Sequence, residues 1–138
     1  MKTRHNKNIK KLSTAILRGA RIAKENGIKH SRGRLAELDA KGNIKCACAL
    51  GMAHIGVFGI QATKDLQEYD EDGYSALEEK FPETDAVNMC VNEKAKIVDY
   101  PTGFTCNSTR VQDAVISLND SDNKKPEQIA KLLQECKL

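Results

Sequence analysis

The chain has 138 residues, 40% hydrophobic and 30% charged, a balance that suits one domain able to bury a core and argues against wholesale disorder. Aromatic residues make up only 4%, with no Trp, which argues against a base-stacking platform for single-stranded nucleic acid and, more weakly, against an aromatic-anchored interface. The formal charge of +3 is unevenly placed: residues 1–45 carry 13 Lys and Arg against Glu25, Glu37 and Asp39, a net +10, and the remainder is net −7.

That asymmetry has two readings. A basic arm can meet phosphate backbones. The simpler account is that the basic half folds against the acidic segment 65–85 and neutralises it. The opening MKTRHNKNIKKL is basic but has no apolar stretch behind it, so it does not read as a secretory signal. The longest apolar run, Cys46 to Ala62, contains His54 and Gln61 and is too short and polar for a membrane span. Five cysteines (46, 48, 90, 106 and 136) form an odd set without a dense framework, so free thiols in a reducing cytosol are expected.

In chain order, Ile9, Leu12, Ile16, Ala20 and Ala23 recur at helical spacing and predict a helix over 9–26. Gly27 follows at a left-handed stop and Ile28 covers the last turn. Turn-type Asp, Gly and Asn in "DAKGN" predict a short hairpin, with strands near 34–38 and 43–47, or else a loop. Residues 47–58 read as a helix with Ala47, Leu50, His54 and Val57 on one face. Interior glycines each cost roughly 1 kcal/mol there, so another segment should approach closely. Thr63 is expected to cap a short acidic turn through Tyr69, with "DEDG" at 70–73 a loop. Ser75 and Glu78 have capping-box spacing for a helix ending at Phe81–Pro82, and Thr84 caps another to about Asn92. "KAKIVDYPTGF" reads as irregular. From Asn107 or Ser108 a further helix shows the stripe Val111, Ala114, Val115, Leu118. Pro126 opens the last helix, with Ile129, Ala130, Leu132, Leu133 and Cys136 inward. The expected fold is therefore mainly α, a compact single-domain bundle over 1–138 with a short β-hairpin near residues 34–47.

Candidate chemistry is sparse. Cys46, Cys48 and His54 hold ligand-type atoms for a metal, but one C-x-C lacks the repeated pairs of structural zinc, and on a helix the two thiols splay by about 200°. Cys48 at a helix start would feel the positive end of the dipole, which activates a thiol. His54 is over a turn away, so His30 or His5 would have to supply the base. Small buried residues are the plainer account of both cysteines. Arg32, Gly33 and Arg34 form a basic turn beside a helix N-terminus near 47, a ready anion site, against the plainer reading of a solvated loop. Asn119 and Asp120 end a helix and are expected as caps, with Asp120 a candidate ligand contact.

Three segments taken together carry a resemblance. A first helix ends in "ENG"; "GRLAELDAKGNIKCACALGMA" follows; and "VISLNDSDNKKPEQIAKLL" closes the chain. The combination resembles a set of small uncharacterised bacterial and bacteriophage proteins with a D-x-x-G turn leading into CALGA and a late ND before a final helix. The matching positions here are Asp39, Gly42, Cys48, Ala49, Leu50, Gly51, Asn119, Asp120 and Glu127, and Met52 departs from the usual small residue. The resemblance implies a shared fold and a microbial or phage origin, and no particular activity. Packing explains its letters: a thin helix crossed closely by others, with the ND end locking against the D-x-x-G turn.

The resulting expectation is a small cytosolic, non-catalytic binding or inhibitory protein, phage- or mobile-element-encoded. It would act on a host or phage protein or a ligand, with no cofactor and no membrane partner. Arg32, Arg34, Asn119 and Asp120 are the binding candidates. The second reading is a nucleic-acid or nucleotide binder using Lys10, Lys11, Arg18 and Arg21 with Arg32 and Arg34, and the third a thiol enzyme at Cys48.

Overall fold

The computed structural model describes residues 8–66, 70–96, 110–120 and 123–138. Among them are six helices and a three-stranded sheet, so the mainly α expectation holds. Helix α1 (Leu12–Glu25) buries Leu12, Ile16 and Ala23 as the periodicity requires. It begins three residues later than predicted because Lys11 is extended, and Ile9 is buried in the lead-in. Gly27 at φ 70° lets the Ile28 N–H reach the Ala23 carbonyl (2.8 Å), closing the helix and turning Ile28 into the core.

The chain then forms β1 (Lys29–His30), β2 (Ala36–Leu38) and β3 (Ile44–Ala47), in the order β1-β3-β2. β2 and β3 are the expected hairpin. Its turn is set by Asp39, whose carboxylate accepts the N–H groups of Lys41 (2.9 Å) and Asn43 (3.0 Å). β1, a strand of two residues and parallel to β3, carries no sequence signal at that length.

Helix α2 (Ala49–Leu66) runs through the centre and packs most extensively on α1. The glycine expectation is met here. A Cβ at Gly56 would collide with the Ala15 carbonyl, and one at Gly19 with the Met52 carbonyl, so the two backbones meet with no side chain between them. Helix α2 is also longer than predicted. It passes a break at Gly59 (φ 94°), and Thr63, expected as an N-cap, is buried beyond it. The Thr63 hydroxyl donates to the Gly59 carbonyl (2.9 Å), the local bond that Thr favours inside helices.

Helix α3 (Asp70–Lys80) includes the "DEDG" stretch predicted as a loop, and Ser75 is mid-helix rather than a cap. Acidic residues such as Glu71 and Asp72 suit a first turn, and Gly73 is buried against Leu35 and Leu66. Helix α4 (Asp85–Ala95) is capped by Thr84, whose hydroxyl accepts from the Val87 N–H (3.2 Å). Its end at Lys96 is left-handed. Helix α5 (Val111–Asp120) buries the whole predicted stripe, and its first N–H groups donate to Asn88 and Glu83 (both 3.0 Å). Helix α6 (Pro126–Glu135) has Pro126 in its first turn and buries Ile129, Ala130 and Leu133. The readings on residues 97–104, on Asn107–Ser108 and on Cys106 lie outside the described residues.

The main core joins all six helices around Ile16, Leu50, Leu77, Val115, Ile129 and Leu133. A smaller cluster, including Ala23, Ile28, Ala47 and Ile55, lies between the sheet and α1–α2. One expectation needs correction. Cys90 and Cys136 are not free thiols but a disulfide between α4 and the end of α6 (Cα–Cα 5.9 Å). Sequence spacing cannot show this, because the helices that bring them together are 46 residues apart. Among the described ion pairs, those of the acidic segment are made with Arg110. Glu78 and Glu83 pair with Arg110 (Glu83 at 3.0 Å), while Lys10, Lys11 and Leu12 at the start of α1 line a small cavity together with Glu83. No helix among the described residues is long and apolar enough to cross a membrane.

Candidate functional site

Of the resemblance-bearing residues, Asn119 meets Ala49 where α5 ends against the start of α2. Asn119 is 1% exposed, and its amide is fully engaged. Oδ1 accepts the Ala49 N–H (2.9 Å), while Nδ2 donates to the Ser31 carbonyl (2.9 Å) and to Asp120 Oδ1 (2.7 Å). A backbone N–H only donates and a carbonyl only accepts, so these contacts fix which end of the amide is oxygen. His30 Nε2, 2.6 Å from Oδ1, must then be the donor. Asp120 Oδ1 also accepts the Gly33 N–H (3.0 Å), and Arg32 Nε donates to Asn123 Oδ1 (3.3 Å).

The ND pair therefore locks the His30–Gly33 loop to the N-terminus of α2, not to the D-x-x-G turn, which is closed by its own Asp39. Of the binding candidates, Arg32, Asn119 and Asp120 come together. Arg34 is exposed on the same loop.

The start of α2 is not an open anion site. Asn119 Oδ1 accepts from its first N–H group, and Cys48 Sγ accepts from the Gly51 N–H (3.4 Å). These two side chains fill the positions a bound anion would take. Cys48 is 3% exposed, so its thiol serves as a buried cap. His30 does arrive from elsewhere, as a base for Cys48 would have to, and it shares Asn119 Oδ1 with the helix end.

The metal set Cys46, Cys48 and His54 does not assemble. Cys46 Sγ lies 3.5 Å from Glu37 Oε2 on the neighbouring strand. His54 Nδ1 is 2.7 Å from Thr63 Oγ1, whose one hydrogen goes to Gly59, so Nδ1 is the donor and the ring braces the break in α2. Among the described residues no group of three or more His, Cys, Asp and Glu is placed to hold a metal. The physical reason is direction: Cys46 projects from a strand, Cys48 caps a helix, and His54 sits in the core.

No protein-family model, curated protein or solved structure matches the chain.

The nucleic-acid candidates are spread along α1 and into the loop beyond it. Lys10 and Lys11 precede α1, whose 14 residues span about 21 Å, and Arg32 and Arg34 lie in the loop past its far end. Arg21 is exposed, whereas Arg18 is half-buried with its Nε shielded from solvent.

Sequence reasoning missed a groove beside this hub. It is about 750 Å³ and lies between β1, β3, the Asp39–Asn43 turn and the later part of α2. Its lining includes Lys29, Lys45 and Lys64 together with Ile28, Ile44 and Ile60. The excess of Lys in residues 1–45 was the available signal; which lysines share a face depends on the β1–β3 pairing.

Proposed function

We propose that the chain is a small non-catalytic binding or inhibitory protein, phage- or mobile-element-encoded, acting on a host or phage protein or a ligand. The observation that supports this reading is the use of its reactive side chains as structure. Cys48 caps α2, His54 braces the Gly59 break, and Asn119 has every polar position engaged in holding the His30–Gly33 loop. What that scaffold presents outward is a basic loop, Arg32 and Arg34, beside a preformed groove.

Affinity capture from the native host tests the reading. A partner retained by wild type and by Cys48→Ser, and lost with Arg32→Ala/Arg34→Ala, is the expected result. Turnover of a substrate that Cys48→Ser abolishes in a folded protein would establish the thiol enzyme instead.

A host-cytoplasm location is part of the proposal, and the Cys90–Cys136 bond weighs against it, because reducing compartments keep thiols free. Alkylation in intact host cells separates the two. Labelling of Cys90 supports the cytoplasm, and its protection places the protein in an oxidising compartment without touching the binding role.

A further inference from the structure

We propose that the groove between β1, β3 and the later part of α2 is a binding site for a small phosphate-bearing ligand without an aromatic base. The inference rests on the reading of the chain as a binding protein and names the ligand class of its groove. The volume, about 750 Å³, falls within the range of small-molecule sites.

Charge selects the sign of the ligand. Lys29, Lys45 and Lys64 surround the groove, and the carboxylate among its lining side chains, Asp39, is held by the N–H groups of Lys41 and Asn43. Glu37, the acid next along the sheet, faces Cys46. Register explains how the lysines come together. Lys29 pairs with Cys46 across β1–β3; the irregularity that leaves Lys45 unpaired between Cys46 and Ile44 breaks the alternation that would otherwise turn it to the opposite face, and Lys64 donates to Asn43 on the turn (3.5 Å). Lysines on three separate elements, converging on one concavity, match the several oxygens of a phosphate group better than a single carboxylate.

The walls are fixed before any ligand arrives. Asn119 holds the His30–Ser31 end, and Asp39 holds the turn. At the α1 end, the carbonyls of Ala23 and Lys24 accept the N–H groups of Ile28 and Gly27, which fixes that wall as well. Preformed walls lower the ordering cost of binding. The lining contains no Phe, Tyr or Trp, and its one ring, the His30 imidazole, is tied to Asn119 Oδ1 (2.6 Å), so no free aromatic face is offered to a nucleobase.

Calorimetry with inorganic pyrophosphate at low salt tests the assignment on the whole protein. Saturable one-to-one binding is expected, weakened about 10-fold or more in Lys29→Gln/Lys64→Gln by loss of charge-assisted contacts, and unchanged in Lys131→Gln on exposed α6. Absence of saturable binding, or undiminished binding by the double variant, overturns the site. Citrate binding as tightly as pyrophosphate overturns the phosphate class, and ATP binding more tightly than tripolyphosphate overturns the exclusion of a base. A partner captured through Arg32 and Arg34 by a protein that ignores pyrophosphate would sink this inference alone and leave the broader reading standing.

Discussion

Asn119 is the residue on which the loop and the central helix both depend. Replacing it with Ala leaves the buried Ala49 N–H and the partly buried Ser31 carbonyl and His30 Nε2 without their partner. Each such loss costs on the order of 1–3 kcal/mol, so Asn119→Ala is expected to destabilise by roughly 3 kcal/mol or more in denaturant titration. Gly56 makes the converse point. A methyl group there would occupy the place of the Ala15 carbonyl, and backbone cannot swing aside as a side chain can. Gly56→Ala should therefore lower stability by about 1–3 kcal/mol, read from the unfolding midpoint. Cys48 belongs to the same scale: buried and accepting from Gly51, it should react with iodoacetamide far more slowly in the native protein than in urea.

Between elements, the contact most open to test is the one from α3 to the start of α5. Arg110 donates to Glu78 and to Glu83, and the latter also accepts the Gln112 N–H (3.0 Å). The hydrogen bond from Arg110 holds the Glu78 carboxyl below its ordinary value of 4.5. A depressed carboxyl stabilises the fold above that ordinary value, and the contribution is lost as pH falls through the folded-state value. The stability gap between wild type and Arg110→Ala should accordingly narrow as pH is lowered from neutrality to below 4.5. A constant gap would mean that the pair contributes through packing alone. The elements themselves were legible to different degrees. The α1, α5 and α6 stripes, the Thr84 cap and the Asp39 turn could be read from spacing, because each depends on neighbours within one or two turns. The "DEDG" stretch misled, since turn-type residues also suit the first turn of a helix when something packs against it, here Leu35 and Leu66 on Gly73.

At the scale of the molecule, the Cys90–Cys136 bond ties α4 to α6 across 46 residues. Loop-closure entropy puts its contribution at about 4 kcal/mol if the reduced chain unfolds fully. Cys90→Ser/Cys136→Ser, or wild type in reductant, should therefore melt well below the oxidised protein in calorimetry. Charge is arranged at this scale too: Glu78 and Glu83 are met by Arg110, and Lys29 and Lys45 of the N-terminal half line the groove with Lys64 of α2.

The sequence by itself determined the helical class, the hairpin with its Asp39 turn, the close crossing at the Gly-rich centre, and the inward faces of the last two helices. All of these follow from periods of two or 3.6 residues and from the local chemistry of caps and turns. Only the tertiary structure decided that Asn119 reaches back 70 residues to the start of α2, that Cys90 meets Cys136, and that three lysines face one groove. Those relations depend on how helices cross and on which strand pairs with which, and no local pattern encodes either.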